Sequence, residues 1–210
     1  MTLKIYGIAA SRAVRTLWCA EELGLPYEHI KLSFNDPAIK EPAFLALNPN
    51  GAIPVIDDNG VVVFESLAIN LYLAERYGAG GLGPSGFEEE AQILQWTFWA
   101  ASEIESQTRI WFQHTVYLPE AERRPEAVAG AMETIGKKLA IAEQVFAGRE
   151  WLVAGRFTVA DLNLAVVLAR LKELGGDAYP NVSAWHARCM ARPAAQRAME
   201  LRAQAMRAAG

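Results

Sequence analysis

Pro54-Val55-Ile56-Asp57-Asp58-Asn59-Gly60-Val61-Val62-Val63-Phe64 sets two short apolar runs on either side of an Asn-Gly pair. Asn and Gly tolerate the positive φ that a two-residue hairpin turn requires, so the stretch predicts an antiparallel hairpin. On its C-terminal side, Ser66 to Tyr77 has helical spacing, with Leu67, Leu71 and Ala74 on one line, Ile69, Leu73 and Tyr77 beside it, and Gly78 as the stop. On its N-terminal side lies a polar loop. Before that, Leu3 to Tyr6 and Tyr27 to Leu32 read as strands. They are joined by a helix from Ala13 to Leu23 that carries Val14, Leu17 and Trp18 on one face and stops at Gly24. Two strands linked through a helix imply a parallel pair with a right-handed crossover.

The resulting order, βαβ then ββα, predicts an α/β thioredoxin-like N-terminal domain over residues 1–78. Gly78-Ala79-Gly80-Gly81-Leu82-Gly83-Pro84 supports neither helix nor strand, which places a linker at 79–87. An all-α C-terminal helical domain is expected over 88–210. There, Ser85-Gly86-Phe87-Glu88 reads as a capping box opening a long helix to about Tyr117, and Pro119 and Pro125 separate it from a helix ending near Phe146. Thr158-Val159-Ala160-Asp161 caps a further apolar helix, with Phe157 and Leu162 spaced as a hydrophobic staple. Shorter helices are expected at Val182 to Met190 and Ala194 to Ala208.

A net charge of −4 argues against a nucleic-acid partner, because such partners are held by clustered Lys and Arg. No run of about 18 apolar residues is present to span a bilayer, and Met1-Thr2-Leu3-Lys4-Ile5-Tyr6 lacks a signal-peptide layout, so a cytoplasmic location is expected. Cys19 and Cys189 are far apart in helical patterns and read as core residues. No metal site is expected.

Two places can carry binding chemistry. A proline at a strand end, as at Ile53-Pro54, cannot donate to a sheet ladder and serves equally as a plain strand-end residue. Were the Ile53-Pro54 bond cis, the Ile53 backbone would turn outward, able to pair with an extended peptide. Glu65-Ser66 stands where the hairpin passes into a helix, so the first-turn N–H groups are free to hold a carboxylate while Glu65 offers a charge to an amine. An ordinary N-cap beside a solvated acid is the simpler account of that pair taken alone.

Asn48-Pro49-Asn50-Gly51-Ala52-Ile53-Pro54-Val55-Ile56, then Glu65-Ser66-Leu67-Ala68-Ile69, resembles the central block of the glutathione transferase family. Glu21-Glu22-Leu23-Gly24-Leu25-Pro26-Tyr27-Glu28 is similar to that family's first-helix ending, and Thr158 to Asp161 to its buried capping box. The likeness covers nearly the whole chain and is to bacterial-type members, nearest the beta- and theta-like classes. It implies a cis Ile53-Pro54 bond, Ile53 backbone pairing with the cysteinyl part of glutathione, and Glu65 with Ser66 holding its γ-glutamyl end. Ala52 stands where the family often carries Lys or Gln, and Lys40 is the alternative for the glycyl carboxylate. The implied activity is detoxifying transfer of the glutathione thiolate to a small apolar electrophile by a homodimer. The alternatives are a glutathione-binding module without turnover and a glutathione-dependent isomerase, dehalogenase or ether-cleaving enzyme.

The thiolate needs a donor, since a thiol of pKa about 8.5 is mostly protonated at neutral pH. Ser11 opens the first helix, and as a cap its oxygen would accept from the backbone while its proton stays free. Tyr6, six residues before Arg12, is the rival hydroxyl. Ile8 stands where some serine-using classes keep their serine, and Ala10 where the cysteine-carrying class has its thiol. The acceptor site is expected between the domains, floored by the long helix bearing Trp96, Trp99, Trp111, Phe112 and Tyr117, most of that stripe reading as core or dimer contact. Its Glu103 and Glu105 are read as facing water or a partner's glutathione, its His114 as a surface residue, and the tail arginines 192, 197, 202 and 207 as a solvated face.

Overall fold

The computed structural model describes residues 3–209; Met1, Thr2 and Gly210, which the expected domain ranges include, lie outside the described residues. The chain divides into two compact units, one running to Ser85 and resuming at Ala191, the other Gly86–Met190.

In the first unit, β1 (Leu3–Tyr6), β2 (Tyr27–Ile30), β3 (Val55–Asp58) and β4 (Val61–Phe64) form one sheet in the order β2-β1-β3-β4. β1 pairs parallel with β2, and antiparallel with β3 through Ile5 opposite Ile56. β3 and β4 make the expected hairpin, Val55 opposite Phe64. Its turn uses Asn59 at φ 55° and Gly60 at φ 92°, and the Gly60 N–H donates to Asp57 Oδ1 at 2.7 Å. The parallel pair is bridged by α1 (Ala13–Glu22), whose residues Ala13 to Ala20 are all buried. α3 (Ser66–Tyr77) buries Leu67, Ile69, Leu73 and Ala74. Fully buried Leu17, Ile69 and Leu73 each contribute roughly 2 kcal/mol of hydrophobic stabilisation. The polar loop between β2 and β3 holds more structure than expected: a 3₁₀ turn at Pro37–Lys40 and a short α2 (Pro42–Leu45), both opened by a proline.

The second unit is helical. Residues 87–117 form one helical run, α4 (Phe87–Trp99) and α5 (Ser106–Phe112), each followed by a π-helical stretch at Ala100–Glu105 and Gln113–Tyr117. Its start is not the capping box expected at Ser85: Gly86 is the N-cap, without a side-chain cap, and Glu88, Glu89 and Glu90 fill the first turn, where acids suit the helix dipole. α6 (Pro125–Phe146) buries Ala131, Ile135, Leu139, Ala142 and Phe146 along one stripe. α7 (Val159–Val167) is buried at all nine positions and forms the centre of this unit. α8 (Pro180–Met190) is anchored at its start by Glu143, which accepts from the Asn181 and Val182 N–H groups, each at 3.0 Å. Phe146 stacks on Trp185 at 4.6 Å between ring centres.

The last helix, α9 (Pro193–Ala209), belongs to the first unit, although the expected domain range grouped it with the helical domain. Ion pairs and a buried alanine stripe join it to α1. Arg192 grips Glu22 with two bonds of 2.8 Å, and Arg197 Nε donates to Glu21 at 2.7 Å. Beside these pairs Ala194, Ala195 and Ala198 are buried. Two of the arginines expected to be solvated therefore tie α9 to α1. No helix among the described residues is long and apolar enough to cross a membrane.

Candidate functional site

The residues singled out from the sequence gather in the first unit, around the ends of β1 and β4 and the starts of α1 and α3. Gly7 follows β1 at φ 130°, with its N–H on the Ile30 carbonyl at 2.8 Å and its own carbonyl 2.8 Å from His29 Nε2. A side chain there would be strained by the positive φ and crowded, its Cβ 3.0 Å from Ala13 Cβ and 3.1 Å from Ile53 Cβ. Gly7 thus leaves room for both Ile53 and the first residue of α1 beside it. The Ile53-Pro54 peptide is cis, as the resemblance implied. Among the described residues the Ile53 backbone forms no hydrogen bond, while Pro54 is buried behind it.

The loop before Ile53 is built on Asn48, buried at 3 % exposure. Its side chain accepts from the Asn50 N–H at 3.0 Å and donates to the Ala52 carbonyl at 2.7 Å. Lys40 donates to the Gly51 carbonyl at 2.8 Å, which brings an exposed ammonium one residue from the exposed Ala52. Gly51, at φ 55°, is required because a Cβ would meet Lys40 Nζ at 2.7 Å and the Ile39 carbonyl at 2.9 Å.

At the α3 start, Glu65 is an exposed N-cap residue at φ 72°, ψ 111°, a conformation that costs a non-glycine residue on the order of 1–3 kcal/mol and is concentrated at ligand sites. Its side chain makes no capping bond. The first helical bond is from the Ile69 N–H to the Glu65 carbonyl at 2.8 Å, so the amides of residues 66 to 68 precede the ladder. Ser66 is buried, and its Oγ accepts from Arg15 Nη1 at 3.3 Å.

The α1 start differs from expectation. The helix opens at Ala13 with Arg12 in the cap position, and the Ser11 hydroxyl both accepts from the Ala13 N–H at 3.1 Å and donates to the Ile8 carbonyl at 2.7 Å. The proton expected to be free is engaged, because the Ile8–Ser11 turn brings that carbonyl within reach. Tyr6 lies opposite Val55 and packs on the Ile39, Phe44 and Val55 cluster, edge-on to Phe44 at 6.1 Å. Cys19 is fully buried, and burial together with the nearby Glu22 charge pushes its thiol up. It offers no thiolate.

Sequence reasoning missed Arg15, Asn48 and Gly7 as builders of this region. Arg15 had a signal: it is the one charged residue in the run Ala13 to Ala20. In the helical unit, Trp111 is buried while Phe112 and Tyr117 remain exposed. Glu103 pairs with Lys138 at 2.5 Å, and His114 Nδ1 accepts from the Arg124 N–H at 3.3 Å. That unit also holds a cavity of about 420 Å³ lined by Gln92, Arg149, Glu150, Trp151 and Leu152, which contains none of the site residues expected from sequence. No group of three or more His, Cys, Asp or Glu among the described residues is placed to hold a metal.

Residues 1–75 match the family model described as glutathione S-transferase, N-terminal domain, and residues 106–193 the corresponding C-terminal domain. The chain is 32 % identical to glutathione S-transferase 1 of Schizosaccharomyces pombe over 89 % of this chain and 90 % of the relative. Among solved structures it is similar to the theta class glutathione S-transferase of Xanthomonas axonopodis pv. citri with glutathione bound, with a TM-score of 0.83 and 36 % identity over 93 % of this chain and 96 % of that one. It is similar also to glutathione transferase URE2P6 from Phanerochaete chrysosporium in complex with oxidized glutathione, with a TM-score of 0.86 and 31 % identity over 97 % of both chains.

Proposed function

The chain belongs to the glutathione S-transferase family, and from that premise we propose a division of labour among its site residues. It is an enzyme that uses glutathione as co-substrate and transfers the glutathione thiolate to an electrophile. Ile53 pairs through its backbone with the cysteinyl part of glutathione, Pro54 fixing the bend. Glu65 takes the γ-glutamyl amine and Ser66 the adjoining carboxylate. Lys40, held beside Ala52 by the Gly51 carbonyl, takes the glycyl carboxylate. The observation that carries this reading is Ile53 itself, whose backbone makes no hydrogen bond among the described residues and whose side chain lies beside Gly7 at the end of β1.

Ser11 stabilises the thiolate. Its proton now rests on the Ile8 carbonyl, but a hydroxyl rotates freely, and a charged acceptor makes the stronger hydrogen bond, so the bound sulfur displaces the carbonyl. Lowering a thiol pKa from about 8.5 to about 6.5 requires roughly 2.7 kcal/mol of differential stabilisation. The electrophile is a small apolar compound. The protein acts as a cytoplasmic homodimer.

Glutathione-agarose should retain the chain, and conjugation of a chlorinated nitrobenzene should fall on the order of 10²-fold in Ser11→Ala and little in Tyr6→Phe. The pH at which kcat/KM reaches half its maximum should rise toward the free-thiol value in Ser11→Ala. The reverse pattern between the two variants assigns the role to Tyr6. Glutathione consumed in step with product separates transfer from an isomerisation that regenerates it.

A further inference from the structure

α1 buries eight consecutive residues from Ala13 to Ala20, and one of them is a guanidinium, Arg15, at 9 % exposure. A charge taken from water is costly unless hydrogen bonds match it, so an arginine inside a helix-packing face needs a partner that repays the desolvation. One partner is 51 positions away in sequence: Nη1 donates to Ser66 Oγ at 3.3 Å, joining the first turn of α1 to the first residue of α3. Ser66 is itself only 3 % exposed, so this bond lies in an interior where charge interactions are weakly screened.

We propose that Arg15 is a positioning residue for the γ-glutamyl carboxylate of glutathione, acting through Ser66. The inference rests on the reading that Ser66 meets that carboxylate. A guanidinium has donors and no acceptor, so in this bond the Ser66 oxygen must accept. The serine's single proton is then left for another acceptor and is directed away from Arg15. The same bond sets a full positive charge behind the α3 first turn, where the amides of residues 66 to 68 precede the first helical bond. A carboxylate there meets an oriented hydroxyl, helix-start amides and a buried cation whose ordering was completed on folding, so binding does not have to supply it. A neutral residue in place of Arg15 leaves Ser66 free to turn its proton inward and removes the charge.

The test compares two ligands on folded protein: glutathione, and the analogue in which 4-aminobutanoyl replaces the γ-glutamyl residue, which keeps the amine and lacks the carboxylate. The wild-type chain should bind glutathione more tightly, by ten- to a hundredfold. Equal affinity would sink the reading of Ser66 itself, and the inference with it. If the wild type discriminates, Arg15→Gln should erase most of that preference by weakening glutathione alone, with the analogue's affinity changing less than about twofold. Arg15→Lys, which keeps the charge, should restore part of it. In a Ser66→Ala background the Arg15→Gln effect should shrink, because coupled residues are not additive. Weakening of both ligands by the same factor in the folded variants would overturn the positioning role and leave Arg15 a packing residue. Should the variants not fold, the Arg15 guanidinium NMR signals of the wild-type chain decide the matter, since they should shift on adding glutathione and stay in place on adding the analogue.

Discussion

Two helix starts in this chain use the same vocabulary, a small hydroxyl residue close to an acid, and put it to different ends. At α7, Thr158 and Asp161 form a complete capping box, and Asp161 accepts from the Leu152 N–H at 2.9 Å, the Thr158 N–H at 3.0 Å and the Trp185 ring N–H at 2.9 Å. It is fully buried, and although those bonds draw its carboxyl down, burial pushes it up on balance. At α3 the acid is exposed, at positive φ, and caps nothing; the hydroxyl is gripped from behind by Arg15, and the first-turn amides precede the helical ladder. Where the protein's own groups saturate the acid, the start belongs to the fold. Where the acid makes no capping bond and the backbone is held in a costly conformation, the start is shaped for a ligand.

The contrast is broken most directly at α7. Asp161→Ala strands four buried donors, the Thr158 hydroxyl included, a loss of about 3–5 kcal/mol, or roughly 6–20 °C in Tm. Guanidinium unfolding should show it, while whatever fraction remains folded keeps the wild-type affinity for glutathione. A milder loss, with affinity falling instead, would mean the two starts do not differ in kind. At α3 the mirror outcome is expected. Glu65→Gln should raise KM for glutathione about tenfold, the loss of one charge-assisted contact, and move Tm by less than about 2 °C. A Tm loss comparable to that of Asp161→Ala would return Glu65 to the fold.

The sequence distinguished these two starts only through the company each keeps. Thr158-x-x-Asp161 declares itself by the spacing of a capping box, and the hairpin by Asn59-Gly60, since both depend on contacts within four residues. The residues that organise the ligand region depend on long-range meetings: Arg15 with Ser66, Gly7 between Ala13 and Ile53, Lys40 with the Gly51 carbonyl. No local pattern encodes them. Ser11 shows the same limit at short range, because its bond to Ile8 depends on a turn whose geometry a single sequence does not specify. The return of α9 to α1 was hidden for a related reason. Arginines at helical spacing read as a solvated face until Glu21 and Glu22 are brought opposite them.

α3 itself sharpens the comparison, since its exposed start is balanced by a pinned far end. Asp58 on β3, 1 % exposed, accepts from the Tyr72 hydroxyl at 2.8 Å and the Tyr77 hydroxyl at 2.7 Å, and Arg76 lies 3.1 Å away. Burial alone would push the Asp58 carboxyl up, but the bonds from Tyr77, Tyr72 and Asn59 and the Arg76 charge hold it below its ordinary value. A folded-state value below the unfolded value of about 3.9 means that its stabilisation is complete above that pH. It is lost as pH falls from there through the folded-state value. Asp58→Asn should therefore cost about 1–2 kcal/mol at pH 7 and flatten the wild-type loss of stability below about pH 4. Urea midpoints measured from pH 7 to pH 3 read both effects. Because the pin grips the last turns of α3 while the ligand meets its first, KM for glutathione at pH 7 should stay within about twofold of wild type. A larger rise would show that the α3 start is held from its own far end rather than from α1 through Arg15.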